Sequence, residues 1–271
     1  MQEDKMDRKI LFFDFDGTLR IEETDEVTPL TYQSFNELKS LGHLLFLNTG
    51  RSFNALGPQV YTLPFDGFIC GCGTYIRYQD QVLLEAKLED DKIKEVVNEL
   101  ARQHIEAIFE GHRGLYCNKI QSDYMKNQIE SIEQRGLVFK DVTDPTFHFV
   151  KMSLHYPNQI IKNEFEKQMD VYFDFILRNE DETEAVLKGY SKGKAMLDLL
   201  DYFKILKVKS YAFGDSNNDE EMLLSVGNSI LIRKTAKHLV DKVTFVSKDA
   251  KHDGVTYALK HFKLIGGLYE K

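Results

Sequence analysis

Two carboxylates stand one residue apart in ILFFDFDGTLR, residues 10–20. Ile10 to Phe13 is a short apolar run that suits a strand buried on both faces. Side chains alternate along an extended chain, so Asp14 and Asp16 project together from its end while Phe15 takes the other face. Gly17 lets the chain break away. A capped strand end followed by a turn accounts for one of these aspartates and not for two. Like charges this close raise one another's pKa unless a cation or hydrogen bonds intervene. The pair therefore reads as a metal or acid/base site.

A second acidic cluster follows the same logic in YAFGDSNNDEEML, residues 211–223. Tyr211 to Phe213 is apolar, Gly214 turns, and Asp215 falls at the strand end. Asn217, Asn218 and Asp219 then lead into a helix from about Glu220. N-capping and the helix dipole account for Asp219, Glu220 and Glu221 but leave Asp215 unexplained. The D-x-N-x-D spacing matches the start of an EF-hand loop, yet Glu220 stands where glycine is needed and Val226 where glutamate is needed. A third run, HLLFLNTGR at 43–51, ends in Asn48, Thr49 and Gly50. Ligands of open parallel sheets bind outside the carboxyl ends of the strands, and Asp14, Asp16, Thr49 and Asp215 all fall at such ends. Together they would form one oxygen-rich pocket, which suits magnesium. An anion entering it needs help. Thr49 offers a hydroxyl and exposed amides nearby, and GYSKGKAM at 189–196 puts Lys192 and Lys194 at a helix start, where phosphate is favoured. Lys192 is the expected partner and Lys194 an exposed helical lysine. The stretch lacks the glycine spacing and the Ser or Thr of a Walker A loop.

The elements that must position these groups alternate. Pro29 opens a helical pattern through Leu41, stopped by Gly42. Runs at His43–Leu47 and Gly67–Gly71 read as strands, and a short helical segment starts at Ser52. SKGKAMLDLLDYF reads as a helix, NSILI and TFVS as strands with a helix between them, and DGVTYALKHF as a closing helix. Such alternation implies an α/β parallel sheet with helices on both faces. Residues 81–187 differ, with more charge, alternating segments such as FHFVKMSLHY and helical ones such as LEDDKIKEVVNELARQ. They read as an inserted α+β domain, leaving 1–80 and 188–271 as the core. Inside the insertion, Arg113, His112 and Arg178 read as solvated surface charge.

Composition sets the class. The chain has 271 residues, 42% of them hydrophobic and 29% charged, with a net charge of −8. That balance argues against a nucleic-acid binder, and no apolar run reaches membrane-spanning length. The N-terminal MQEDKMDRK lacks the apolar core of a secretory signal. Three cysteines, Cys70, Cys72 and Cys117, make neither a disulfide framework nor a zinc cluster. The expectation is a reduced cytoplasmic protein.

Four motifs in order then resemble the haloacid dehalogenase superfamily, in particular its Cof-type sugar-phosphatase-like branch: DFDGT at 14–18, TGR at 49–51, SKGKA at 191–195 and GDSNND at 214–219, with a weaker DGV at 253–255. The resemblance implies a Rossmann-like core carrying a large α/β cap between the second and third motifs, where residues 81–187 lie. It implies a magnesium-dependent phosphatase acting on a small phosphorylated metabolite, a sugar phosphate being the usual substrate. Asp14 resembles the nucleophile that becomes an aspartyl-phosphate, and Asp16 the acid/base. Asp14, Asp16 through its backbone carbonyl, and Asp215 resemble the metal ligands, with Asp219 supporting the metal directly or through water. Thr49, Gly50, Lys192 and Asn218 resemble the groups that hold the phosphoryl oxygens. Many relatives have Asn-Gly-Ala after the third strand, whereas ICGCGTYI puts Cys72 at the asparagine. A phosphomutase would use the same motifs, and a non-catalytic phospholigand sensor the same fold.

Overall fold

The computed structural model describes residues 7–180, 182–233 and 236–266. The chain opens with β1 (Ile10–Phe13), the short β2 (Arg20–Ile21) and β3 (Glu26–Val27), α1 (Pro29–Ser40), β4 (Leu44–Asn48), β5 (Gly67–Cys70), β6 (Tyr75–Tyr78) and β7 (Gln81–Glu85). The middle holds α2 (Asp90–Arg102), β8 (Glu106–Gly111), β9 (Gly114–Cys117), α3 (Asp123–Glu133), β10 (Phe139–Asp141), β11 (Lys151–His155), α4 (Gln159–Met169), β12 (Phe173–Leu177) and β13 (Thr183–Leu187). The last part holds α5 (Lys192–Phe203), β14 (Ser210–Gly214), α6 (Glu220–Ser225), β15 (Asn228–Ile232), β16 (Phe245–Ser247) and α7 (Gly254–His261). Two compact units result. One comprises the described residues up to Gly50, Pro58–Leu83 and the described residues from Ser191; the other comprises Arg51–Gly57 and Leu84–Tyr190.

The first unit is built on the sheet β16-β15-β14-β1-β4-β5-β6-β7. From β16 to β5 neighbouring strands pair in parallel, and β6 turns back antiparallel to β5. Every residue of β1 is buried, as is every residue of β4 and β14, which is what a strand covered on both faces requires. α1 packs on α7 and α5 on α6. From β1 the chain first adds strands on one side, β4 and β5, and later on the other, β14 to β16. β1 is therefore the point at which strand order reverses, where an open α/β sheet forms its crevice. Register fixes the rest: Phe13 lies level with Leu47 on one side and Phe213 on the other. The next residues, Asp14, Asn48 and Gly214, stand in one row, with Asn48 and Gly214 the last residues of β4 and β14. An aromatic floor lies just behind them, with Phe13 4.6 Å from both Phe213 and Phe35 between ring centroids.

The second unit is a sheet of order β10-β9-β8-β11-β13-β12. It is antiparallel except where β9 and β10 pair. Its two faces differ by the period-2 rule. Ala107, Phe109, Tyr116, Met152, Leu154 and Ala185 face an apolar core that also takes Val96 and Leu100 of α2 and Phe165 of α4. The opposite face carries Glu110, Lys151, Ser153 and Glu184, all buried or nearly so.

Several local expectations need correction. Between β15 and β16 the described residues hold a single 3-10 turn, Lys237–Leu239, in place of a helix. The segment after Ser52 holds two 3-10 turns, Phe53–Ala55 and Pro58–Thr62, in place of a regular α-helix. His112 is buried and Arg178 pairs with Glu184, so only Arg113, whose side chain is 68% exposed, fits a solvated charge.

One histidine carries a pH dependence. His43 is 6% exposed, and its Nδ1 accepts from the Lys9 backbone N–H at 3.4 Å. Burial, with Lys9 adding repulsion, pushes the imidazole down to about 4. The unfolded imidazole takes a proton near its ordinary value, about 6.5, while the folded one stays neutral. His43 therefore supports the fold fully above that value, and the support is lost as pH falls toward 4. Urea midpoints at about pH 7 and about pH 5 should fall less for His43→Gln than for the wild type. Parallel falls would show that His43 titrates normally.

Candidate active site

Asp14 leaves β1 at the switch point, 5% exposed, with its backbone N–H donating to the Phe213 carbonyl at 2.9 Å. The Lys192 Nζ donates to Asp14 Oδ1 at 2.6 Å and to Asp219 Oδ1 at 2.7 Å. Lys192 is 3% exposed and begins α5, whose N-cap Ser191 accepts from the Lys194 N–H. Its carbonyl accepts from Asn48 Nδ2 at 3.2 Å, which ties the helix start to the end of β4. Gly193 follows because α6 passes there: a Cβ would come within 2.8 Å of Glu221 Cγ and Ser225 Oγ. Lys194 is exposed, as expected.

The GDSNND loop organises itself around Asp219, which is 0% exposed. Asp219 Oδ2 accepts from the backbone N–H of Asp215 at 3.0 Å and of Ser216 at 3.2 Å. The expected cap role is therefore present, but at Ser216–Asp219 as a reciprocal capping box. Asp215 is 2% exposed; its Oδ1 accepts from Thr18 Oγ1 at 3.3 Å and its Oδ2 from Arg233 Nη2 at 2.9 Å. Gly17, at φ +80°, leaves room for it, since a Cβ there would lie 2.6 Å from Asp215 Oδ2. Asn218 is half-buried and its Oδ1 accepts from Ser216 Oγ at 2.5 Å.

Asp14, Asp215 and Asp219 are thus brought together, each offering a carboxylate oxygen within 4.8 Å of the others. Three buried oxygen donors at that spacing fit a hard divalent cation. Their electrostatics show the crowding. Burial and the Asp219 carboxylate raise Asp14 well above the carboxylate range, with Lys192 opposing them. The same two causes push Asp215 up to about 6 against the pull of Arg233. Burial disfavours the Lys192 ammonium, but Asp14 and Asp219 outweigh it and raise the group above its ordinary value.

Asp16 behaves differently. Its side chain is 33% exposed, and Arg20 holds Oδ1 through Nε and Nη2, both at 2.6 Å. Arg20 also donates to Asp25 at 2.6 Å, across the β2–β3 hairpin. Thr49 is 1% exposed; its N–H donates to the Ile69 carbonyl and its carbonyl accepts from the Cys72 N–H. Gly50, next to it, is half-buried. Cys72, standing where many relatives have asparagine, adopts φ +55°. Asparagine tolerates that left-handed region better than most residues, and a non-glycine there costs about 1–2 kcal/mol.

Two residues escaped the sequence reading, Arg20 and Arg233. Arg233 follows β15 directly and has φ +57°. The carboxyl-end rule that singled out Asp215 applies to it equally, as the first polar residue after NSILI. Arg20 left only a weak trace, a basic residue four positions after Asp16.

Comparison with known proteins places the arrangement. The haloacid dehalogenase-like hydrolase family matches residues 11–259. The candidate phosphatase YkrA of Bacillus subtilis (strain 168) is 24% identical over 262 residues, covering 96% of this chain and 100% of its own. A solved protein from Geobacillus kaustophilus HTA426 superposes with a TM-score of 0.86 at 23% identity, covering 95% of this chain and 100% of its own. The HAD subclass IIB sugar phosphatase BT4131 does so at 0.80 and 21%, with the same coverages of 95% and 100%. At these identities the solved structures establish a shared fold. The family match spans nearly the whole sequence and includes Asp14, Thr49, Lys192 and Asp215, so the chain belongs to the haloacid dehalogenase-like hydrolase family and is a hydrolytic enzyme.

Proposed function

We propose that the protein is a magnesium-dependent phosphatase that hydrolyses a small phosphomonoester, a sugar phosphate or similar metabolite, through an aspartyl-phosphate on Asp14. The carrying observation is the buried Asp14 at the sheet's switch point, 2.6 Å from the Lys192 ammonium and grouped with Asp215 and Asp219. An aspartate held beside a lysine and two further carboxylates suits attack on a phosphoryl group whose charge the lysine helps to spread.

In the first step an Asp14 carboxylate oxygen forms a bond to phosphorus and the ester P–O bond breaks. Asp16 gives its proton to the departing oxygen. In the second step Asp16 takes a proton from water, the hydroxide oxygen bonds phosphorus, and the bond to Asp14 breaks, returning Asp14 and releasing phosphate. Two Arg20 nitrogens fix Asp16 Oδ1, so the proton exchange is assigned to Oδ2. Thr49, the Gly50 amide and Asn218 are assigned to the phosphoryl oxygens, and Lys192 to both Asp14 and the transferring group. Asp14, the Asp16 carbonyl and Asp215, with Asp219 behind them, would hold a divalent cation, which would supply the neutralising charge that lets an anionic nucleophile meet an anionic ester.

Substrate choice is assigned to the insertion, residues 81–187, acting as a cap. Support comes from a cavity of about 140 Å³ within the second unit. The sheet lines it with Ile108, Lys151 and Ser153, and α3 lines it with Met125 and Gln128. Lys151 Nζ lies 3.0 Å from Glu110 and 2.8 Å from Glu184. Apolar surface interleaved with fixed donors and acceptors suits a compact polyhydroxylated group.

Asp14→Asn is nearly isosteric and should fold normally by circular dichroism while losing at least about 10³-fold in kcat. Excess EDTA should abolish wild-type phosphate release, magnesium should restore it, and calcium should support little turnover because its shell is larger and looser. Turnover by Asp14→Asn near the wild-type rate would mean that another residue attacks. Accumulation of an isomerised phosphate ester in place of free phosphate would favour a mutase.

Ser153→Leu fills the cavity. For the best substrate from a panel of metabolite phosphates it should raise KM by about tenfold, with kcat and the hydrolysis of a small aryl phosphate within about twofold. An unchanged KM would take the cavity out of substrate choice.

A further inference from the structure

Arg233 is the first residue after β15 and has no place in the chemistry above, yet it grips one of the three grouped carboxylates. Its Nη2 lies 2.9 Å from Asp215 Oδ2 and 3.3 Å from Glu22 Oε2. The two acids are unlike. The Asp215 side chain is 3% exposed, and the Glu22 side chain, in the β2–β3 turn, is 50% exposed. One guanidinium nitrogen is thus shared between a buried acid of the cluster and an acid at the surface. Beside it lies a cavity of about 100 Å³ lined by Gly17, Arg20, Glu22, Arg233, Asp249 and Lys251. The arginine therefore has both a second acceptor and space next to it. Around Asp215 the charged groups are Asp14 and Asp219, with Lys192 between those two. Lys192 Nζ donates to Asp14 and Asp219, and the Arg233 guanidinium donates to Asp215, so the cluster has a cation on the Arg233 side of Asp215 as well.

We infer that Arg233 is an internal counter-cation, balancing Asp215 in the metal-free enzyme and shifting its hydrogen bond to Glu22 when a divalent cation takes up Asp215. The second half of this inference rests on the reading of the aspartate triad as a metal site; the first half does not. A neutral hydrogen-bond partner of a metal ligand usually strengthens metal binding, and losing it weakens affinity about 10–100-fold. A cationic partner acts in the opposite sense, because it competes for the same negative charge. The sign of the effect therefore separates a counter-cation from an ordinary orienting residue.

The test uses full-length protein stripped with EDTA and studied at about pH 8, where carboxylates in solution are ionised. Arg233→Gln keeps a donor and removes the charge; Arg233→Lys keeps the charge and changes the shape. Thermal unfolding in EDTA should show Arg233→Gln less stable than the wild type and Arg233→Lys close to it. Calorimetric titration with magnesium chloride alone should show Arg233→Gln binding about tenfold more tightly than the wild type and Arg233→Lys within about threefold of it. Glu22→Gln leaves the whole cluster untouched and removes the negative charge of the second acceptor, so its magnesium affinity should fall by about threefold. Weaker or unchanged magnesium binding by Arg233→Gln would overturn the inference and make Arg233 an orienting residue. If the wild type binds no magnesium, the metal reading fails, and the EDTA melting curves alone decide whether Arg233 balances Asp215. Should Arg233→Gln not fold, Glu22→Gln still decides: unchanged or tighter magnesium binding by that variant would sink the idea.

Discussion

Mutual repulsion among Asp14, Asp215 and Asp219 is the constraint on which the rest of the first unit turns. Three carboxylates meet at the end of a fully buried strand layer, where desolvation makes each ionised group expensive. Lys192 answers two of them and Arg233 the third. Three acids face two bases; burial first, and the Asp219 carboxylate second, raise Asp14 and Asp215. Parallel pairing supplies the geometry that makes the crowding unavoidable. With Phe13 level with Phe213, the residues after each strand must emerge side by side. The buried rings of Phe13, Phe35 and Phe213 pack behind them.

Most of this frame was legible because it depends on local rules. Apolar runs of four or five residues ending in polar ones fixed β1, β4, β14 and β15 to within a residue or so. The carboxyl-end rule then collected Asp14, Thr49 and Asp215 without any knowledge of their partners. Lys192 was found through its helix start, although its burial was not foreseeable: lysine is rarely buried, and only the two acids 2.6 and 2.7 Å away make it so. What stayed hidden was non-local. The pairing of Arg20 with Asp16 and of Arg233 with Asp215 needs the β2–β3 hairpin and the end of β15 in place. Neither the two-residue strands of that hairpin nor the antiparallel turn of β6 leaves a period long enough to read.

The second unit shows the same divide. Alternation in FHFVKMSLHY announced a sheet with two unlike faces, and β11 has them: Met152 and Leu154 lie in the apolar core, while Lys151 and Ser153 line the cavity wall. The surprise is that the polar face is also buried. Lys151 is 4% exposed and held between Glu110 and Glu184, with Arg178 completing the row. Burial alone would raise Glu184, but Lys151 and Arg178 overcome it and keep its carboxyl below the usual range. An ion row of this kind stabilises little compared with an apolar wall of equal volume. Its cost is understandable where fixed donors and acceptors must be presented to something polar.

The neighbours Lys192 and Gly193 answer to different selective pressures, although they sit together in one short motif. Lys192 is held by charge, between Asp14 and Asp219. Gly193 is held by the close passage of α6, with Glu221 and Ser225 where a side chain would stand. Replacing it would force α5 and α6 apart and lower the amount of folded enzyme in the cell while leaving each surviving molecule chemically competent. A deep mutational scan scored only by growth would merge these two effects into a single intolerant patch. Scored separately for protein abundance and for specific activity, adjacent positions would be told apart, one kept for its charge and the other for its want of a side chain.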